Sequence, residues 1–218
     1  LWSLIVGKLN ISLACCDYDR CRALFDGRVQ IEGCEVAATA LEPEEAFHRA
    51  FKFQEFDVSE LSLSSYTNTL AKGENDYVAI PAFVSRLFRH SGIYIRTDRG
   101  IKTPADLKGK TIGLPEYQIT ANVWIRGILS EHYGVPVDSV TYYTGGEEEP
   151  GRPEKQKLDL PSNIKVQSIP QDKTISQMLR DGELDAFHTA RAPSTLDGLK
   201  VLRLFPDYAQ VEREYYRK

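Results

Sequence analysis

The stretch LNISLACCDYDRCRALFDG (Leu9–Gly27) carries the fold class. Leu9–Ala14 alternates apolar and polar residues with period two, the pattern of a half-buried strand. The alternation breaks at Asp17-Tyr18-Asp19, whose short acidic side chains suit a helix start. Arg20–Phe25 then reads as a brief helix stopped at Gly27. Outward from this seed the rhythm repeats. Cys34–Leu41 reads as a strand, and Pro43 suits a first helical position. Ala46, Phe47, Ala50 and Phe51 share one helical face. Val58–Leu63 reads as a third strand, with Ser64 or Ser65 capping a helix that ends at Gly73. Tyr77–Ala82 and Ile93–Arg96 read as further strands. Strand and helix in alternation predict an α/β fold with mainly parallel sheets flanked by helices.

A second unit opens at Ile101. Thr103, Pro104 and Asp106 supply a cap, a first-position proline and the acid three residues on, and Gly109 closes that turn. Lys110–Leu114 follows as a strand. Thr120–Tyr133 reads as a helix with Ala121, Trp124, Ile125, Ile128 and Leu129 inward, stopping at Gly134. Val140–Tyr143 and Ile164–Ile169 read as strands. Between them Gly145–Pro161, with Glu147-Glu148-Glu149 and three prolines, reads as a solvated, mobile loop. Asp172 is expected to cap Lys173–Arg180, ahead of strands at Leu184–Phe187 and Val201–Phe205 and a polar final helix. The expected organisation is a first lobe over 9–98, a second over 101–192, and a return segment, 193–218, heading back to the first lobe.

Composition narrows the function. The 218 residues are 42% apolar and 27% charged, which excludes disordered and fibrous classes. The net charge of −4 disfavours nucleic acid as a partner, and no apolar run is long enough to cross a bilayer. Cys15, Cys16, Cys21 and Cys34 contain no Cys-x-x-Cys spacing, so reduced thiols in the cytoplasm are expected. The four histidines are dispersed, with no ligand spacing that demands a metal. No glycine-rich dinucleotide loop, phosphate loop or serine elbow is present.

Ligands of open α/β sheets sit beyond the carboxyl ends of the strands, where helix starts present free N–H groups. That rule selects Cys16–Arg20, Glu42–Glu44, Ser62–Ser65 (with Ser64) and Pro81–Ser85. In the second unit it selects Pro115–Thr120, Pro170–Thr174 and His188–Arg191. Each such turn is also compatible with ordinary capping. Arg86, Arg89 and His90 lie within five residues, and arginine holds carboxylates bidentately. His188, at a strand end with Arg191 nearby, has the make-up of a proton donor beside a bound carboxylate, or of a structural histidine.

Two stretches, TPADLKGKTIGL (Thr103–Leu114) and MLRDGELDAF (Met178–Phe187), resemble second-lobe signatures of the two-lobed type II periplasmic-binding-protein fold. More specifically, ACCDYDR (Ala14–Arg20), PAFVSRLFRHSGIYIRTDRGI (Pro81–Ile101), GLPEYQITANVWIRGIL (Gly113–Leu129) and DAFHTARAP (Asp185–Pro193) together resemble the 4,5-dihydroxyphthalate decarboxylase family. The resemblance implies a cytoplasmic carboxy-lyase that needs no cofactor. It would convert a dihydroxylated phthalate to protocatechuate and CO2 in aromatic catabolism. The positions selected above supply the candidates for that chemistry: His188, His90 or Glu116 as the catalytic groups, with Arg86, Arg89 or Arg191 as carboxylate anchors. Tyr117 and Glu116, ahead of Thr120, would face the ring hydroxyls, and Arg20, Tyr18 and Ser64 would contact substrate from the first lobe. The implied partner is a small aromatic dicarboxylate, with no nucleic acid and no membrane; self-association stays open. The alternative is a two-lobed solute-binding protein for a small organic anion, working with a transporter. The resemblance also implies further chain beyond Lys218 to complete the first lobe, and Leu1–Lys8 fits no part of the pattern.

Overall fold

Alternation along β1 (Leu9–Cys15) gives that strand two buried faces. Leu13 and Cys15 pack with Cys21, Leu24, Phe25 and Val36 on one side, while Ala14 meets Ala50 and Phe56 on the other. The computed structural model describes residues 7–155 and 159–217. These fall into two compact units, Leu1–Arg86 and Leu87–Lys218; of the unmatched Leu1–Lys8, the first six residues lie outside the described ones. In the first unit β1 is central, running parallel to β2 (Cys34–Ala40) and β3 (Val58–Ser59). Helices α1 (Arg22–Phe25), α2 (Pro43–Phe53) and α3 (Leu63–Lys72) flank it. Pro43 opens α2, and Ala46 and Ala50, both fully buried, let that helix close onto the sheet.

Three local expectations change here, each because a side chain takes over a backbone's role. Asp17 and Asp19 do not cap α1. They pair with Arg22 and Arg20, each at 3.2 Å, and the helix starts after Cys21. The third strand ends at Ser59 because the Glu60 carboxylate turns back to accept from the Cys16 N–H and the Tyr18 hydroxyl; Ser62, rather than Ser64 or Ser65, then precedes α3. Tyr77–Ala82 forms no strand. The Tyr77 hydroxyl donates to the Phe56 carbonyl (2.9 Å), and the Tyr66 hydroxyl accepts from the Ala79 N–H (3.1 Å), so side chains rather than a ladder tie the segment down.

The second unit holds a six-stranded sheet of β4 (Ile93–Arg96), β5 (Thr111–Leu114), β6 (Thr141–Thr144), β7 (Lys165–Ser168), β8 (Ala186–His188) and β9 (Val201–Arg203), in the order β7-β6-β5-β8-β4-β9. Pairings are parallel except at β4, which runs antiparallel to β8 and β9. One face, with Ile93, Ile112, Leu114 and Ala186, packs under Ile125 and Leu129 of α4 (Thr120–Tyr133). The other, with Tyr94, Phe187 and Val201, packs under α5 (Ile175–Asp181), and α6 (Tyr208–Tyr215) follows β9. Gly113 is needed where β5 meets α5, since a Cβ there would stand 2.5 Å from Ile175 Cγ2.

The α/β class, mainly parallel and helix-flanked, is the observed one. Ile93–Arg96, expected at the end of the first lobe, is instead the second sheet's antiparallel strand; all four of its residues are buried, so both its faces need cover. The segment read as a return to the first lobe supplies β9 and α6 to this same unit, where the Glu212 carboxylate accepts from the Ser91 N–H (2.9 Å). Thr174, not Asp172, caps α5, its hydroxyl accepting from the Gln177 N–H at 3.2 Å.

Candidate active site

The parallel strands β5, β6 and β8 end side by side at Leu114, Thr144 and His188, so the chain beyond each is gathered at one edge of the sheet. After β5 come Glu116 and Tyr117, both buried, and then the first turns of α4 with Asn122 and Arg126. After β6 comes the stretch Gly145–Lys155, and after β8 comes Thr189. The α4 helix spans the residues expected of it, yet its inward face differs. Trp124 is 45% exposed, while Asn122 and Arg126 are buried beside Ile125 and Leu129.

Arg126 anchors the geometry. Its guanidinium carbon stacks 3.6 Å from the centre of the Tyr117 ring, and Tyr142 meets Tyr117 edge-on at 5.5 Å. The Tyr117 N–H donates to Glu154 Oε1 (2.6 Å), and Asn122 Nδ2 donates to the Glu116 carbonyl (2.9 Å). Arg152 grips the Glu116 carboxylate, its Nε at 3.1 Å from Oε1. The Thr189 hydroxyl donates to Glu147 Oε2 (2.8 Å). Glu148 accepts from the Ser176 hydroxyl (2.7 Å) and from both the N–H and hydroxyl of Ser194 (2.8 and 2.6 Å). The acidic stretch expected to be solvated and mobile is thus stitched to α5 and to the residues that follow β8. Residues 156–158 of that stretch lie outside the described ones.

Burial dominates the electrostatics. His188 is wholly inaccessible, and neither ring nitrogen has a hydrogen-bond partner among the described residues. Burial, followed by the Arg126 charge, pushes its pKa down to about 3, so the ring is neutral near pH 7. Burial raises the Glu154 and Glu147 carboxyls and lifts the Tyr117 and Tyr142 phenols above their usual range. Buried Arg126 therefore sits beside two phenols and the Glu154 carboxyl, all biased toward their neutral forms.

Of the residues singled out from sequence, Glu116, Tyr117 and His188 meet here. Half-buried Thr120 opens α4, and exposed Arg191 follows Thr189, whose hydroxyl accepts from the Arg191 N–H (3.3 Å). His90 does not join them. It is buried in a box of Tyr133, Phe205 and Tyr215 rings, 5.1 to 5.8 Å away. Arg89, half-buried, feels Tyr216 and Glu212 of the same region. Arg86 is exposed at the end of the first unit, 5.9 Å from the Phe83 ring centre. In the first unit Tyr18 donates to Glu60 (2.9 Å), Arg20 stacks on the Tyr18 ring (4.2 Å) and reaches the Val84 carbonyl, and Ser64 Oγ lies 3.3 Å from Ser62 Oγ. Arg126, Asn122, Glu147 and Glu154 were not selected from sequence. The available signal was the polar pair Asn122 and Arg126, one helical turn apart and flanking the apolar stripe.

The four cysteines are free, and Cys15, buried against Cys21, is raised to about 12 by burial and then by that neighbour. Among the described residues no group of three His, Cys, Asp or Glu is placed to hold a metal, and no helix is long and apolar enough to cross a membrane.

Residues 40–148 match the family described as NMT1/THI5 like, which gives the chain its broad class. It is 47% identical over 215 residues to 4,5-dihydroxyphthalate decarboxylase of Comamonas testosteroni, covering 98% of this chain and 65% of that protein. It is 49% identical over 216 residues to the enzyme of the same name from Pseudomonas putida, covering 98% of this chain and 84% of that one. The chain belongs to the 4,5-dihydroxyphthalate decarboxylase family. Among solved structures it is similar to the periplasmic aliphatic sulphonate binding protein SsuA from Escherichia coli (TM-score 0.49, 13% identity, 97% of this chain and 69% of that chain). It is also similar to the alkanesulfonate-binding protein SsuA from Xanthomonas axonopodis pv. citri (TM-score 0.45, 15% identity, 97% and 70%).

Proposed function

We propose that this protein is a carboxy-lyase that converts 4,5-dihydroxyphthalate to protocatechuate and CO2. The observation that carries the reading is the identity of 47% and 49% to two proteins of that name across 98% of the chain. The chemistry is sound without an added electron sink. Each carboxylate of the substrate lies para to a hydroxyl, so ionising that hydroxyl pushes electron density to the carbon bearing the carboxylate. Protonation there lets CO2 depart. A site for this reaction holds the retained carboxylate, assists the hydroxyl and delivers one proton.

Glu116 and Tyr117, at the end of β5, are proposed to face the ring hydroxyls, and Arg191 to add positive charge at the edge after β8. His188 is wholly inaccessible and burial opposes the imidazolium that a donor needs, so we do not propose it as the proton donor. Four free thiols suit a reducing compartment, and we place the activity in the cytoplasm on that ground. Incubation with 4,5-dihydroxyphthalate, with and without chelator, should release CO2 and form protocatechuate in equal amounts. Tight binding with no CO2 would mark a solute-binding protein instead.

A further inference from the structure

We infer that Arg126 holds the carboxylate the reaction retains and that Glu154 supplies the proton to the carbon that loses the other. The inference rests on the decarboxylase reading and adds two residues to it. Arg126 is 93% buried, yet among the described residues it forms no ion pair and its Nη1 has no hydrogen-bond partner. A desolvated guanidinium without an anion is costly to the fold, and stacking on Tyr117 offsets only part of that cost. The other buried arginine shows what a structural role looks like. Arg96 is satisfied by the Asp98 carboxylate and by the carbonyls of Leu179 and Arg180. Arg152, beside the site, is committed to Glu116. Arg126 alone among these three is left with a bonding direction to offer a carboxylate.

Glu154 meets the backbone of the same residue, taking the Tyr117 N–H on Oε1, with the Thr144 hydroxyl beside the carboxyl. Its Oε2 is buried and makes no hydrogen bond within bonding distance among the described residues. Burial, and after it the Glu116 charge, raise its pKa against the Tyr117 N–H, the Thr144 hydroxyl and Arg126, with burial prevailing. It also lines an open cavity of about 300 Å³ with Thr144, Leu160, Ile164, Val166, Gln167 and Ser168. In the step, the O–H bond of Glu154 breaks and a C–H bond forms at the carbon bearing the departing carboxylate. The C–C bond then breaks, its electron pair restores the aromatic ring, and CO2 leaves. Glu154 recovers its proton from solvent, so one proton is consumed per CO2 and no oxidant is needed.

The two assignments are tested separately in the whole protein. Protocatechuate keeps a carboxylate and catechol has none. Arg126→Met should weaken protocatechuate binding by about 100-fold while catechol binding changes little, and Arg126→Lys should recover part of the loss. The melting temperature of the ligand-free Met variant should hold or rise, because a buried charge is removed. Protocatechuate bound as tightly as by wild type, or a lowered melting temperature with affinity intact, overturns the anchor. Glu154→Gln should cut kcat by about 100-fold or more with KM nearly constant, and Glu154→Asp should restore part of it. Wild-type turnover by the Gln variant overturns the donor. If wild type binds protocatechuate but releases no CO2 from 4,5-dihydroxyphthalate, the decarboxylase reading and the donor fail together, while the Arg126 result stands on its own.

Discussion

At the scale of single residues, His188 links position to stability. Its ring titrates near 6.5 when free and near 3 when folded. Between those values the unfolded chain takes up a proton that the folded protein refuses. Stability is therefore full above about pH 6.5 and falls toward pH 3, by about 1.4 kcal/mol per pH unit from this group. Buried His90, also lowered by burial, acts in the same direction. Urea midpoints between pH 7 and 5 should show the decline, and His188→Leu should make it shallower by about 2 kcal/mol over that span. An unchanged slope would separate the ring from acid sensitivity. His188 and Tyr117 were legible in the sequence because they stand at strand ends, which alternation marks. Arg126 was not, because a helix interior advertises its apolar residues, and a lone arginine among them reads as surface until the helix is docked.

The elements tell a similar story. α4 was legible from its first residue to its stop because its periodicity and the glycine after Tyr133 agree. Tyr77–Ala82 and the acidic stretch after β6 were misread for one reason: composition does not reveal when side chains from distant positions satisfy a segment. Glu148 is the clearest case, joining α5 to the segment beyond β8 through Ser176 and Ser194. Glu148→Ala should speed amide exchange across 145–155 by about tenfold and lower stability by about 1–2 kcal/mol. Exchange as slow as in wild type would mean that other contacts hold the stretch.

For the molecule as a whole, the two units differ in what they bury. The described core of the first is small, with Leu13, Ala14, Ala46, Ala50 and Phe56 among its members. The second buries Ile93, Ile112, Leu114 and Phe187 of a six-stranded sheet under Ile125 and Leu179 of its helices. Hydrogen exchange should find the most protected amides in β4, β5 and β8, with β1 and β2 opening at lower free energy. The reverse order would show that buried apolar volume does not set local stability here. The placement of β4 and β9 escaped the sequence reading because strand direction and sheet membership depend on pairings far apart in the chain.

Near the two ends of the second unit, the rings of Phe88 and Tyr216 stand 4.7 Å apart. With the Ser91 N–H held by Glu212 as well, α6 works as a clasp on the entry to β4, so that fraying of either one loosens the other.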